Sequence, residues 1–181
     1  MKEPRIVGIS GNARRPSKTR ALVCTVAERI AQRHGFTVDL FDLVDLGPSV
    51  ETTREEASKE TTRVLEAIEG ADALIVGTPV YKGAYAGLLK HLFDLIDPLA
   101  LKDRPVLLTA VGGGQRHSLI IEHHLRPLFG FFEALTIPTG VYASEQDVAD
   151  GKVSDTAINA RIDHAVDQLG VIIRTEAFRA A

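Results

Sequence analysis

Short apolar runs alternate along the chain with longer stretches in which apolar residues recur every three or four positions. The runs predict five strands, at 5–10, 37–42, 73–77, 105–110 and 135–142. The longer stretches predict five helices, at 17–34, 58–69, 85–96, 118–132 and 154–173, with a polar loop at 47–56. The run at 73–77 is apolar throughout, which is typical of a strand buried on both faces of a parallel sheet.

This alternation of strands and helices predicts an α/β protein with a parallel sheet and helices on both faces. In such sheets, ligands bind beyond the carboxyl ends of the strands, where the strand order reverses. The loops after the first, third and fourth strands, 10–19, 78–84 and 112–117, are all rich in Gly, Ser, Thr or Pro. We therefore expect these three loops to build one binding site.

The first loop, Gly8-Ile9-Ser10-Gly11-Asn12-Ala13-Arg14-Arg15-Pro16-Ser17-Lys18-Thr19, has the composition of a phosphate site. Free N–H groups and the helix dipole favour an anion at a helix N-terminus, and hydroxyls and cations add to this. The loop fits neither the P-loop nor the dinucleotide fingerprint, which favours a mononucleotide. The candidate phosphate-binding residues are Ser10, Asn12, Arg14, Arg15, Ser17 and Thr19, and Lys18 adds a further positive charge to the loop. The alternative is an ordinary strand-to-helix turn with Ser17 as its N-cap.

The other two loops suit the edge and the face of a flat ring. In Thr78-Pro79-Val80-Tyr81-Lys82-Gly83, the proline fixes a turn and the glycine allows close approach of another group. The triple glycine at 112–114 would let a ring lie against bare backbone, although a flexible connector is the alternative. Together the three loops suit a flavin mononucleotide. The candidate ring-binding residues are Pro79, Val80, Tyr81, Lys82, Gly83, Gly112, Gly113, Gly114 and His117, of which His117 could instead cap the fourth helix.

Composition narrows the classes of partner and compartment. A chain of 181 residues, 45% of them hydrophobic, predicts one domain at 1–181, with a flexible tail from about residue 174 unless packing or a partner orders it. The net charge of -3 argues against a nucleic-acid partner, and no apolar run is long enough for a membrane span. A single cysteine, Cys24, and no visible signal peptide predict a cytoplasmic protein. Cys24 is expected in the core, and no metal-ligand spacing is present.

These motifs resemble the NAD(P)H-dependent FMN reductase family of flavodoxin-like fold. The resemblance covers about residues 4–172, and it is carried by the segments Gly8–Thr19, Thr78–Gly83, Gly87–Asp94 and Gly112–Gly114. It is most specific at Tyr81–Tyr85 and Leu88–Pro98, which are similar to reductase components of two-component alkanesulfonate and methanesulfonate monooxygenase systems.

The resemblance implies both a fold and a reaction. The fold is a flavodoxin-like three-layer sandwich with a five-stranded parallel sheet of order 2-1-3-4-5. In the reaction, NADH or NADPH reduces FMN, and the reduced flavin leaves for a flavin-dependent monooxygenase in sulfonate sulfur assimilation. No catalytic side chain is implied, because flavin and nicotinamide carry the hydride transfer. An FMN-bound quinone, azo-dye or metal reductase and a non-enzymatic electron carrier stay open as alternatives.

The resemblance also implies an oligomer. In the similar sulfonate-system reductases the fourth helix lies at the subunit interface, where an inserted residue can form a π-bulge. The position that matches this insertion is His123. The third helix is apolar over more than one face, which favours a homodimer or homotetramer. Its apolar residues are Leu88, Leu89, Leu92, Phe93, Leu95 and Ile96.

Overall fold

The computed structural model describes residues 3–46 and 53–179. Residues 47–52 of the predicted polar loop lie outside these ranges. The strands are β1 Ile6–Ser10, β2 Val38–Asp42, β3 Ala73–Tyr81, β4 Ala84–Tyr85, β5 Pro105–Gly112, β6 Leu135–Thr136, β7 Val141–Ser144, β8 Val148–Ala149 and β9 Lys152–Val153. The helices are α1 Lys18–His34, α2 Lys59–Glu69, α3 Gly87–Asp94, α4 Arg126–Phe131 and α5 Thr156–Arg179. A π-helical turn, Ile121–Leu125, leads into α4, and 3-10 turns lie at Leu43–Leu46, Gln115–His117 and Glu145–Asp147.

The predicted α/β class and the flavodoxin-like strand order are confirmed. The main sheet has the parallel order β2-β1-β3-β5, and β6 and β7 both pair with the outer edge of β5. The predicted count of five strands is wrong, because the sheet has seven. The expected fifth strand is interrupted at Pro138, which has no N–H to donate to the ladder. The added strand, β4, pairs antiparallel with the end of β3.

Local capping fixes the ends of the first two helices where the sequence predicts them. Ser17 is the N-cap of α1 and accepts a hydrogen bond from Arg20 N at 3.1 Å. Gly35 ends α1 in the left-handed conformation, with φ of 73°, and its N–H donates to Ala31 O. Ser58 caps α2 in the same way as Ser17 caps α1.

Three helices differ from their predicted bounds. The predicted fourth helix at 118–132 is a π-helical turn, Ile121–Leu125, followed by the shorter α4, Arg126–Phe131. α3 begins only at Gly87, because Tyr85 belongs to β4. α5 continues to Arg179, past the predicted end at Ile173, and no Gly or Pro interrupts this stretch.

Alternation along each strand divides the core into two layers. In β1, Val7 and Ile9 point into a layer shared with α2, α3 and α4, whereas Ile6 points into a layer shared with α1 and α5. Every residue of β1 and β5 is buried, as expected for central parallel strands. Cys24 is only partly buried on α1, and this burial raises the pKa of its thiol. Within the described residues, no helix is both long and apolar enough to cross a membrane.

The apolar faces of α3 are covered by the chain itself. Leu89, Leu92 and Phe93 are at most 1% exposed, and Leu95 and Ile96, just beyond the helix, are also buried. Phe93 packs edge-on against Phe129 of α4, with ring centroids 5.0 Å apart. Burial within the chain thus accounts for most of the apolar residues of this helix, and the oligomeric state stays a prediction.

His34 joins α1 to α5 through two hydrogen bonds of its ring, one donated and one accepted, and this pairing requires a neutral imidazole. Its Nε2 donates to the carbonyl of Val166 at 3.1 Å, and its Nδ1 accepts from the Arg174 guanidinium at 2.6 Å. An alanine-sized side chain at Gly170 would come within 2.4 Å of this ring, which explains a glycine inside a helix. Burial, followed by the charge of Arg174, holds the pKa of His34 below its ordinary value of 6.5.

We expect acidification to weaken the fold through His34. Because its pKa is lower in the folded state, the unfolded chain binds more protons as the pH falls through about 6.5, and the free energy of unfolding then decreases. Urea unfolding between pH 7 and pH 5 measures this slope. A His34→Gln variant, which keeps an N–H donor but cannot titrate, should show a shallower slope; an identical slope would contradict the assignment.

Candidate functional site

The carboxyl ends of the central strands lie side by side and bring their loops together. Ser10 at the end of β1 pairs in register with Gly77 of β3, and Gly112 at the end of β5 pairs with Ser144 at the end of β7. The N–H of Gly11 donates to the carbonyl of Gly77 at 2.8 Å. A Cβ on Gly11 would lie 3.0 Å from that oxygen, so only glycine fits this close approach easily.

A cavity of about 220 Å³ opens at this edge of the sheet. Seven of the predicted site residues line it, namely Asn12, Arg14, Ser17, Thr19, Pro79, Val80 and Tyr81. Four other residues also line it: Lys18, which the sequence indicates as a positive charge of the loop, and Pro16, Val111 and Glu145, which it does not single out. Pro16 and Lys18 lie inside the predicted phosphate loop. Glu145 follows β7, and its position at the same sheet edge was a signal that could have identified it.

The part of the cavity nearest α1 has the properties of an anion site. It lies at the N-terminus of a 17-residue helix, where N–H groups are free and the dipole is positive. Ser17 Oγ accepts from Arg20 N, which leaves its hydroxyl proton able to donate to a ligand. Arg14 and Lys18 are exposed and line the same cavity, so two cations face it. This arrangement suits a phosphate group.

Hydrogen bonds of the Ser10 and Asn12 side chains fix the conformation of the first loop. Ser10 is buried and does not line the cavity; its hydroxyl donates to Asn12 Oδ1. The side-chain amide of Asn12 in turn donates to the backbone carbonyl of Arg14 at 2.9 Å. Ser10 is therefore a positioning residue, because it acts on the loop through Asn12.

Arg15 points away from the cavity that Arg14 lines. Its Nε lies 3.0 Å from Asp42 Oδ2, and its terminal nitrogen lies 2.6 Å from Asp45 Oδ2. The hydrogen bond to Asp45 is the main reason that the pKa of Arg15 is raised. The structure thus gives Arg15 two carboxylate partners, Asp42 at the end of β2 and Asp45 in the turn that follows, and Arg15 does not line the cavity.

Lys82 and Gly83 form the tip of a tight hairpin between β3 and β4. Both have positive φ, 51° and 83°, as a type I′ turn requires, and no atom lies within 4 Å of a Cβ built on Gly83. Gly83 is therefore explained by the turn, and neither residue lines the cavity. The hydroxyl of Thr78 anchors the hairpin by accepting from Ala86 N at 3.0 Å.

The triple glycine divides into one packed position and two open ones. A Cβ on Gly112 would lie 2.5 Å from the hydroxyl oxygen of Tyr142, so this glycine is needed for packing. Tyr142 also fixes the turn, since its hydroxyl donates to the carbonyl of Gly114 at 2.6 Å. Gly113 and Gly114 would have no atom within 4 Å of an added Cβ, and this open backbone leaves room for a ring. None of the three glycines lines the 220 Å³ cavity itself.

The predicted His123 lies in the π-helical turn before α4. The turn closes with a hydrogen bond from Arg126 N to Ile121 O, five residues apart, and His123 is exposed within it. The neighbouring His124 stacks edge-on against Tyr85 of the hairpin, with ring centroids 6.1 Å apart. His117, which ends the 3-10 turn Gln115–His117, does not line the cavity and accepts from Arg116. An interface role for His123 stays a prediction.

The fold and this edge-of-sheet site define a flavodoxin-like α/β protein. A solved oxidoreductase from Corynebacterium diphtheriae superposes with a TM-score of 0.83 and 30% identity, over 96% of this chain and 98% of that one. The model of the NADPH-dependent FMN reductase family matches residues 4–149. The chain therefore belongs to this family. The expected class of enzyme, an NAD(P)H:FMN oxidoreductase, and its cofactors are confirmed by this membership.

Two relatives are similar to this chain in both length and sequence. An FMN reductase (NADPH) of Pseudomonas aeruginosa is 45% identical over 166 residues, which is 91% of this chain and 89% of the relative. An NADH-dependent FMN reductase, SfnF, of Pseudomonas fluorescens is 44% identical over 94% of this chain and 92% of its own length. The two relatives are named for different nicotinamide donors.

The residues present fit an FMN. Arg14, Lys18 and the N-terminus of α1 would hold its phosphate, whereas Tyr81 and the open backbone of Gly113 would border its ring. The cavity is smaller than the roughly 300–1,000 Å³ of pockets that enclose a small ligand. A bound FMN would therefore stay partly exposed.

Alanine substitutions should separate packing from ligand contact in the triple glycine. We expect Gly112→Ala to destabilise the fold by about 1–3 kcal/mol, because its Cβ overlaps Tyr142. Gly113→Ala should leave the melting temperature of the ligand-free protein within about 2 °C and weaken FMN binding instead. Thermal melts and FMN titrations of both variants measure this, and equal melting temperatures for the two would contradict it.

Proposed function

We propose that this protein reduces FMN with NADH or NADPH in the cytoplasm and releases the reduced flavin to a separate flavin-dependent monooxygenase. The monooxygenase belongs to sulfonate sulfur assimilation. FMN supplies the chemistry when bound, because it accepts a hydride from the nicotinamide. The chain supplies a phosphate anchor at Arg14, Ser17 and Lys18 and an open face near Gly113.

The observation that carries this proposal is the shape of the site. Arg14, Ser17 and Lys18 line it as donors for a phosphate, and its volume of about 220 Å³ is too small to enclose a whole small ligand of ordinary size. A flavin that is only partly enclosed suits a protein in which it must both meet a nicotinamide and leave for another protein. The resemblance of Tyr81–Tyr85 and Leu88–Pro98 to reductases of two-component sulfonate systems supports the choice of partner.

Two other functions use the same fold. A quinone, azo-dye or metal reductase would keep FMN bound through its catalytic cycle, and an electron carrier would not oxidise a nicotinamide. The small volume of the cavity, about 220 Å³, favours exchange of FMN over permanent binding.

One assay separates the three functions. We expect the purified protein to be colourless and to oxidise NADH or NADPH only when FMN is added. A yellow protein that reduces quinones without added flavin would favour the first alternative. No oxidation of either nicotinamide would favour the carrier.

The two adjacent arginines of the loop should differ in their effect on FMN. Arg14→Ala should weaken FMN binding roughly tenfold or more, because it removes a charge-assisted phosphate contact. Arg15→Ala is the matched control, since Arg15 is bound to Asp42 and Asp45, and it should change the FMN Kd by less than about threefold. Fluorescence titration of FMN gives both constants; a larger loss in Arg15→Ala would reverse our placement of the phosphate.

We also propose that two or four copies of this chain associate through α4. An apolar groove of about 480 Å³ lies between α3 and α4, and Phe131 at its rim is 70% exposed. An apolar groove with an exposed aromatic ring at its rim is typical of a site that another protein covers. A second copy is the occupant we propose, in agreement with the interface that the resemblance implies for His123.

Light scattering tests this association. The wild-type mass should be a multiple of the 19.6 kDa of one chain, and Phe131→Asp should reduce it. Val171→Asp is the control, because Val171 is 62% exposed on α5, away from the groove, and should leave the mass unchanged. A single-chain mass for the wild type would refute the oligomer.

A further inference from the structure

One residue that lines the proposed phosphate cavity, Glu145, carries a negative charge. Glu145 lines the cavity from the 3-10 turn that follows β7. Arg14 and Lys18 line the same cavity from the loop that follows β1. The residue is exposed. A carboxylate beside a phosphate repels it, so the charge of Glu145 opposes the ligand for which the rest of the cavity is suited.

Hydrogen bonds between side chains and the backbone hold the turn that carries Glu145 in place. The ammonium of Lys18 donates to the backbone carbonyl of Glu145, which joins the phosphate loop to this turn. On the other side, Ser144 N donates to Asp147 Oδ2 at 2.6 Å, within a reciprocal capping arrangement of the two side chains. Lys18, Ser144 and Asp147 therefore set the backbone position of Glu145, and these contacts do not use the Glu145 side chain.

The charge of Glu145 is not cancelled by a direct partner in the described part of the chain. The ammonium of Lys18 binds the backbone carbonyl of Glu145 and makes no ion pair with its carboxylate.

We propose that Glu145 is a specificity-determining residue that weakens FMN binding by repelling its phosphate and so speeds release of the flavin. This inference rests on the proposed function, in which FMN is exchanged and not retained. Arg14 and Lys18 attract the phosphate, and Glu145 limits the affinity that results. Differences in affinity of this kind act mainly on the rate of dissociation.

The test compares FMN with riboflavin, which has the same ring and no phosphate. Glu145→Gln keeps the size of the side chain and removes its charge. We expect it to tighten FMN binding about three- to fivefold at low salt, the effect of one partly exposed charge pair, and to slow FMN dissociation equally. Riboflavin binding should not change, and the gain with FMN should shrink at high salt because salt screens the charges. Flavin fluorescence titration and stopped-flow displacement measure these values.

Asp150→Asn is the matched control. Asp150 lies in the exposed turn between β8 and β9, does not line the cavity, and has a φ of 48° that asparagine tolerates. The same loss of charge there should leave both flavin constants unchanged. The role of Glu145 is refuted if Glu145→Gln binds FMN no tighter than the wild type, or if riboflavin tightens as much as FMN. A wild-type protein that binds no FMN would instead overturn the proposed function.

Discussion

The hydrogen bond from Gly11 N to Gly77 O is the contact on which the site depends. It joins the start of the phosphate loop to β3 just before the chain turns into the hairpin, and the two backbones approach so closely that a Cβ on Gly11 would lie 3.0 Å from the Gly77 oxygen. Because β1 runs parallel to β3 and ends opposite Gly77, while β3 continues to Tyr81, this bond sets the N-terminus of α1 beside Pro79 and Tyr81. The cavity is the space between these two elements.

Around this contact, the chain uses buried polar groups to hold the loops and leaves exposed ones for the ligand. The hydroxyls of Ser10, Thr78 and Tyr142 each form a hydrogen bond that holds one of these loops. Arg14, Lys18 and Tyr81 line the cavity instead. Hydrogen bonds thus tie the first loop to β3, the hairpin to the end of β3 and the glycine turn to β7. The same division explains why two arginines next to each other in sequence have different roles.

Much of the fold was predictable because it follows from local patterns. The strand runs, the Ser17 and Ser58 caps and the Gly35 stop are local features, and the structure has them where the sequence predicts them. The errors fall where a local pattern allows two outcomes. Tyr85 continues the apolar spacing of α3, yet it pairs with Val80 in the hairpin.

By itself, the sequence determined the order of strands and helices, the position of the phosphate loop and the family resemblance, because each depends on residues near one another in the chain. Only the tertiary structure decided which members of each loop reach the cavity. It turned Arg15 towards Asp42 and Asp45, assigned Gly83 to a turn and Gly112 to packing against Tyr142, and brought Glu145 to the phosphate loop. The physical reason is that side-chain direction and long-range pairing depend on partners distant in sequence, and no local spacing specifies them.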